Sequence, residues 1–219
     1  MVVTRALAGR WVEGWCDSRR MLRRRDGDGW LVEVAAETRS REYISVAPSL
    51  PELRRLVAAT TAPDVWLTLV GDLDAQSRDA VAALDPVTSG EGMMTTRIVP
   101  AEVPASVRIE VDGRVAHARI EVRGELAARG QAAVRAGDVV FDRIETMPSF
   151  RRRGLGGLVM TGLSAWAAET GATTALLMAS VSGRRLYESL GWADVAPLVT
   201  FRGGRRDDAP GLGIADLPG

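Results

Sequence analysis

The feature that most restricts the fold is a run of tight turns between alternating segments. Residues 107–111 and 115–122 flank Asp112-Gly113, Arg123-Gly124 follows, and residues 125–134 and 139–146 flank Ala136-Gly137-Asp138. Glycine accepts the positive φ that short hairpin turns need. Four consecutive strands joined in this way form an antiparallel meander. The pattern then switches to helix. Leu155, Leu158, Val159, Leu163, Trp166 and Ala167 recur at helical period, and Gly171 suits a left-handed cap after Thr170. Residues 173–178 are nearly all apolar, as expected of a strand covered on both faces. A helix over 183–190, capped by Ser182, and a strand over 197–202 complete this half.

The first half is mixed. A helix is predicted near residues 6–22, strands at 30–35 and 41–47, a helix over 50–59, a strand at 65–70 and a helix over 75–84 capped by Asp74. Ser49 and Glu52, three apart with Pro51 between them, mark the start of the 50–59 helix. The run Arg23-Arg24-Arg25 reads as a solvated face beside a turn. Residues 85–92, rich in Asp, Pro, Ser and Gly, read as a linker. This gives an N-terminal α/β lobe over 1–92 that could serve a substrate or a partner, a core over 93–203, and a disordered tail over 204–219. No internal repeat is visible in the sequence. The fold class is α/β (α+β): a mainly antiparallel mixed sheet flanked by helices, with an N-terminal α/β extension.

Composition removes several functions. With 46% hydrophobic residues the 219-residue chain can bury a sizeable core. Its 28 basic residues balance 28 acidic ones, which argues against a dedicated nucleic-acid binder. One cysteine, Cys16, and one histidine, His117, leave no disulfide framework and no Cys- or His-rich metal site, so no metal is expected. Every basic residue is Arg, so no lysine is present to form a Schiff base. Charged residues interrupt every apolar run before it reaches the about 7–15 residues of a signal peptide or the about 20 of a spanning helix. The expectation is a cytoplasmic protein that engages neither membrane nor nucleic acid, with a homodimer left open.

The chemistry lies between residues 139 and 192. A strand ends at Thr146-Met147-Pro148, and Arg151-Arg152-Arg153-Gly154-Leu155-Gly156-Gly157 leads straight into the helix. The first amides of a helix have no intrahelical acceptor, and its dipole places partial positive charge there. Glycine lets a ligand approach the backbone, and three guanidinium groups add charge. Such a junction is suited to a pyrophosphate. A Walker-type loop is excluded because it needs a Lys. The dinucleotide fingerprint is excluded because this loop follows an antiparallel meander.

The Arg-x-x-Gly-x-Gly stretch after a strand ending in Pro resembles the acetyl-CoA signature of the GNAT superfamily of N-acetyltransferases. A second stretch, Gly183 to Trp192, resembles that superfamily's later helix with its Leu-Tyr-x-x-x-Gly ending, and Tyr187 lies 36 positions after Arg151. The resemblance covers roughly residues 105–202. It implies that the backbone of Ile144, Glu145 and Thr146 pairs with the pantetheine arm of acetyl-CoA. It further implies that Arg151, Arg152, Arg153, Gly154, Leu155, Gly156 and Gly157 hold the pyrophosphate, and that Tyr187 protonates the departing thiolate. Ser180 stands where many members have Asn, and Ala175 where some have a catalytic Glu. Strand alternation puts Val140, Asp142, Ile144 and Thr146 on one face. Asp142 is therefore the first candidate for the general base, and Glu145 the second if a bulge changes the facing. His117 reads as a surface residue. The implied activity is transfer of acetyl from acetyl-CoA to a primary amine by direct attack in a ternary complex. A non-catalytic acyl-CoA-binding or sensor module is the alternative. The strands at 139–146 and 173–178 should run parallel and splay apart.

Overall fold

The computed structural model describes residues 5–204. In chain order the elements are α1 (Arg5–Arg19), β1 (Leu22–Asp26), β2 (Gly29–Ala36), β3 (Arg39–Val46), α2 (Leu50–Ala59), β4 (Val65–Val70), α3 (Ala75–Ala80) and β5 (Asp85–Arg97). There follow β6 (Arg108–Asp112), β7 (Val115–Val122), β8 (Glu125–Arg135), β9 (Asp138–Thr146), α4 (Leu155–Glu169), β10 (Thr174–Ala179), α5 (Val181–Ser189) and β11 (Ala193–Arg202). All eleven strands join one sheet in the order β1-β2-β3-β4-β11-β5-β10-β9-β8-β7-β6. Pairing is antiparallel except for β3 with β4 and β9 with β10. The predicted mixed, mainly antiparallel sheet flanked by helices is the observed one. No helix among the described residues is long and apolar enough to cross a membrane.

The sheet order has a symmetry that the sequence conceals. The unit β1-β2-β3-α2-β4-α3-β5 and the unit β7-β8-β9-α4-β10-α5-β11 follow the same path. Each has a meander, a parallel crossover through a helix, and a second helix leading to a last strand. In each unit that last strand skips one position, and the gap is filled by the last strand of the other unit. Strands β5 and β11 are thus exchanged between interleaved halves and pair along most of their length, Ala193 with Thr95 through Arg202 with Asp85. The expected boundary between residues 92 and 93 falls inside β5, so the supposed linker is a central strand. Pro86, Ser89 and Gly90 are accommodated because this pairing is irregular and Gly90 takes a φ of +78°.

Each face of the sheet has its own cover. Met93 and Met94, consecutive and both fully buried, point to opposite faces. One face packs against α1 through Trp11, Trp15, Ile44, Val70, Met93 and Val140. The other packs against α4 through Val159, Leu163 and Trp166, and on the N-terminal side against α2 through Leu53 and Leu56. Helix α1 sits very close to β9: a Cβ on Gly14 would lie 2.3 Å from Val140 Cγ2. The Arg23–Arg25 run is edge strand β1 rather than a turn. Arg23 pairs with Glu13 and Asp17, and Arg25 lies over the Trp30 ring. Three helix limits also differ from expectation, the first being α1, which ends at Arg19 rather than near 22. Helix α3 stops at Ala80, and Ser180 rather than Ser182 caps α5, accepting from the Gly183 amide at 3.1 Å. The predicted tail from 205 onward lies outside the described residues.

Candidate active site

The two halves differ at one decisive place. In the N-terminal unit β3 and β4 pair along six registers, from Arg41 with Val65 to Val46 with Val70. In the C-terminal unit β9 and β10 pair only from Asp138 with Thr174 to Val140 with Leu176. Beyond Val140 the strands part. A bulge in β9 marks the departure: Arg143 has a φ of +52°, and pairing with β8 jumps from Gln131–Asp142 to Arg129–Glu145. The edge of β9 that carries Ile144, Glu145 and Thr146 therefore has no partner strand on the β10 side. A peptide-like ligand arm can pair with such an edge.

At the end of β9 the chain turns into α4. Gly154 is the N-cap at φ +76°, in the left-handed region, and no side chain caps the helix. The first bond across the helix start runs from the Leu158 amide to the Gly154 carbonyl. The amides of Leu155, Gly156 and Gly157 are left without intrahelical acceptors. Arg151 bonds the Thr146 carbonyl, and Arg153 bonds the Ser149 carbonyl and lies over Phe150. Arg152 is exposed at φ +59°. Among the described residues none of these three guanidinium groups has a carboxylate partner, so their charge is available to an anion. A Cβ on Gly156 would come within 3.1 Å of Leu186 and 3.4 Å of the Thr146 hydroxyl.

Where the strands part, a cleft of about 310 Å³ opens. Phe141, Asp142, Arg143, Ile144, Met178, Ser180 and Tyr187 of the second half of the chain line it. Tyr187 is buried and packs with Phe141 around Trp192. Burial, helped by the Asp142 charge, pushes its hydroxyl up to about 12. It therefore stays protonated throughout the neutral range and is held as a donor. A wider groove of about 520 Å³ beside α3, lined by Leu73, Val81, Leu84 and Phe201, contains none of these groups.

The acceptor part of the lining comes from the first half of the chain. Trp11, Trp15 and Arg19 of α1, Arg39 and Glu42 of β3, Trp66 and Thr68 of β4, and Thr88 and Glu91 of β5 all belong to it. Glu42 accepts from Arg39 at 2.8 Å and from Thr68 at 2.5 Å. Arg39 lies over the rings of Trp66 and Trp15. Glu91 accepts from the Thr88 hydroxyl at 2.8 Å, and burial raises its pKa above the ordinary carboxylate range.

The two sequence candidates for the general base occupy unexpected positions. Asp142 faces α1 and receives both Nε and Nη2 of Arg19 at 2.7 Å, with Gln131 at 2.9 Å. Both of its oxygens are engaged, so it is placed as an anchor of α1 rather than as a free proton acceptor. Glu145 is paired with Arg129 at 2.8 Å and does not line the cleft. Simple alternation also fails at Ile144. The bulge turns it onto the α4 face, where it packs against the core around Val159. Ser180 lines the cleft, with its hydroxyl occupied in capping α5. His117 is exposed on β7, away from the cleft. Glu91 gave no sequence signal, because it sits among residues whose composition reads as a linker.

Comparison with known proteins agrees with this geometry. The model of the acetyltransferase (GNAT) family matches residues 100–192. A GCN5-related N-acetyltransferase from Kribbella flavida superposes with a TM-score of 0.64 at 18% identity, over 92% of this chain and 95% of that one. A GNAT-family protein from Novosphingobium aromaticivorans gives 0.54 at 16% identity, over 87% and 93%. A GCN5-related N-acetyltransferase from Sphaerobacter thermophilus gives 0.52 at 11% identity, over 79% and 75%. No curated protein matches the sequence significantly. The acetyltransferase (GNAT) family model thus matches part of the second half of the chain, and the fold of these three proteins is shared along most of its length.

Proposed function

We propose that the protein transfers the acetyl group of acetyl-CoA to a primary amine, by direct attack in a ternary complex. The observation that carries this reading is the gap between β9 and β10, with unpaired amides at the start of α4 at one end and Tyr187 in the cleft at the other. Bound acetyl-CoA would supply an activated thioester carbonyl. The amides of Leu155, Gly156 and Gly157, with the unpaired Arg151, Arg152 and Arg153, would hold its pyrophosphate. The edge of β9 at Ile144, Glu145 and Thr146 would pair with the pantetheine arm. Tyr187 would give its proton to the departing thiolate.

The residues fit this donor in a way the N-terminal unit does not. There the equivalent strands are zipped together, and only Ala47-Pro48-Ser49 separate β3 from α2. Tyr187 favours an enzyme over a non-catalytic acyl-CoA-binding module, since passive binding has no use for a donor buried at the cleft wall. Incubation with acetyl-CoA and a panel of primary amines, with release of free thiol as the readout, tests the reading. Amine-dependent release is expected. Tight binding of acetyl-CoA without release for any amine would favour the binding module.

A further inference from the structure

The acceptor part of the cleft has a charge balance that restricts its occupant. Among the described residues that line it, Arg19 is paired with Asp142 and Arg39 with Glu42. Glu91 is the one carboxylate there without an ion-pair partner. Its only hydrogen bond among the described contacts comes from the neutral Thr88 hydroxyl. The remaining walls there are the indole rings of Trp11, Trp15 and Trp66 and the side chain of Leu198, with the hydroxyls of Thr68 and Thr200 bonded to each other at 2.8 Å. Helix α1 roofs this face of the sheet, held by Arg10 to Asp138 and by Arg19 to Asp142.

We propose that the acceptor is a small primary amine with a single positive charge and an apolar body, and that Glu91, delivered by the exchanged strand β5, holds its ammonium and takes up its proton. The inference rests on the acetyl-transfer reading above. A second positive charge would find no free carboxylate in the cleft and would meet Arg39 and the exposed Arg143 instead. A polypeptide segment would have to fit a space of about 310 Å³, at the lower limit of small-molecule sites. Strand β5 belongs to the first unit, so the N-terminal half supplies part of the reaction centre as well as a wall for substrate.

The proton balance is as follows. The bound ammonium gives one proton to Glu91, which passes it to solvent. The free amine forms a C–N bond to the acetyl carbonyl carbon. On collapse the C–S bond breaks and the sulfur takes the Tyr187 proton. The proton remaining on the new amide nitrogen restores the tyrosine, directly or through water. The products are the acetamide, free thiol and one proton.

The charged and titratable groups facing Glu91 are Arg39 and Glu42 from β3, Arg19 from α1, Asp142 and Arg143 from β9, and Tyr187 from α5. Glu42 acts in the same direction as burial on the Glu91 carboxyl, and Arg39 opposes it. A folded pKa above the ordinary value means that Glu91 loses its basic form on acidification earlier than a solvated carboxylate would. Activity should therefore fall along an acid limb set by this residue.

The test compares phenethylamine, spermidine, kanamycin and a lysine-containing peptide as acceptors, in wild type and in Glu91→Gln and Glu91→Asp. Binding of acetyl-CoA is followed by calorimetry. Phenethylamine should have the highest kcat/KM. Glu91→Gln should lower it about 10²-fold or more near neutrality. The variant should lose the acid limb, recover above the amine's own pKa and keep its affinity for acetyl-CoA. Glu91→Asp should retain the limb. A higher kcat/KM for spermidine, kanamycin or the peptide would overturn the inference. An unchanged pH profile in Glu91→Gln would do the same. If wild type binds acetyl-CoA and acetylates none of the four, the inference falls while the donor site stands. If wild type does not bind acetyl-CoA, both readings fall.

Discussion

Tyr187 and Asp142 both line the cleft and take opposite roles because their surroundings differ. Among the described residues the buried Tyr187 hydroxyl has no ion-pairing partner, and its raised pKa keeps the proton on it. The Tyr187→Phe variant keeps the ring and its packing on Trp192. Turnover should drop by about 10²–10⁴, the usual worth of a positioned acid, while acetyl-CoA affinity stays within a few-fold. Steady-state kinetics and calorimetry on the same preparation check this, and full activity would remove Tyr187 from the mechanism. Asp142 is a different case. Its side chain is 10% exposed and gripped by Arg19, which is 19% exposed. Asp142→Asn should destabilise the fold by about 2–4 kcal/mol, near the low side of the cost of breaking a buried ion pair, because Arg19 keeps some solvent contact. Urea denaturation measures that loss. Any accompanying fall in rate should be uniform with pH, whereas a loss confined to neutral pH would return the base role to Asp142.

Asp142 also shows how far residue-level reading reached. Its place on β9 was legible, since Gly137 and the apolar run of 139–141 fix the strand locally. Its partner was not, because Arg19 lies 123 positions earlier and meets it only when α1 folds across the sheet. Glu91 was hidden for a related reason. Nothing within a few residues of it indicates a strand, and its position depends on pairing with β11, about a hundred residues downstream.

At the scale of elements, two contacts govern the site. One is the start of α4 against the end of β9. Gly156→Val puts a branched side chain where Leu186 and Thr146 already approach. It should weaken acetyl-CoA binding at least tenfold by blocking approach to the backbone, while thermal unfolding shows a retained fold. The other contact is α1 against β9. Gly14→Ala should cost up to about 2 kcal/mol, since overpacking against Val140 of about 1–3 kcal/mol is set against a gain of about 1 kcal/mol from replacing a helical glycine. Displacing α1 disturbs the roof of the cleft and spares the α4 loop. KM for the amine should therefore rise more than the Kd for acetyl-CoA, and the reverse order would place α1 at the donor site instead. Elements fixed by local signals, such as α2 with its Ser49 cap and the β6–β9 meander, were readable within a few residues. Edge strand β1 was not. Its arginines look solvated in sequence, and they join a strand through backbone pairing with β2, with Arg23 on Glu13 and Arg25 over the Trp30 ring.

For the molecule as a whole, two interleaved units repeat one chain path with no repeat visible in the sequence. The C-terminal unit kept a bulge, a glycine-rich helix start and an open strand pair. The N-terminal unit has zipped strands and supplies acceptor walls. Exchange of β5 and β11 makes the halves interdependent. A fragment covering 93–203 would lose the first half of β5 and the β4 partner of β11. It should not fold alone, giving a collapsed NMR amide spectrum, and a well-dispersed spectrum with acetyl-CoA binding would show that the halves are separable.

The central claim is that the gap between β9 and β10, with the start of α4, is a donor site for acetyl-CoA. Calorimetric titration of acetyl-CoA into wild type and Gly156→Val tests it most directly. The account predicts one saturable site per chain in the wild type and at least tenfold weaker binding in a variant that remains folded. No binding to the wild type, or equal affinity in both proteins, would contradict it.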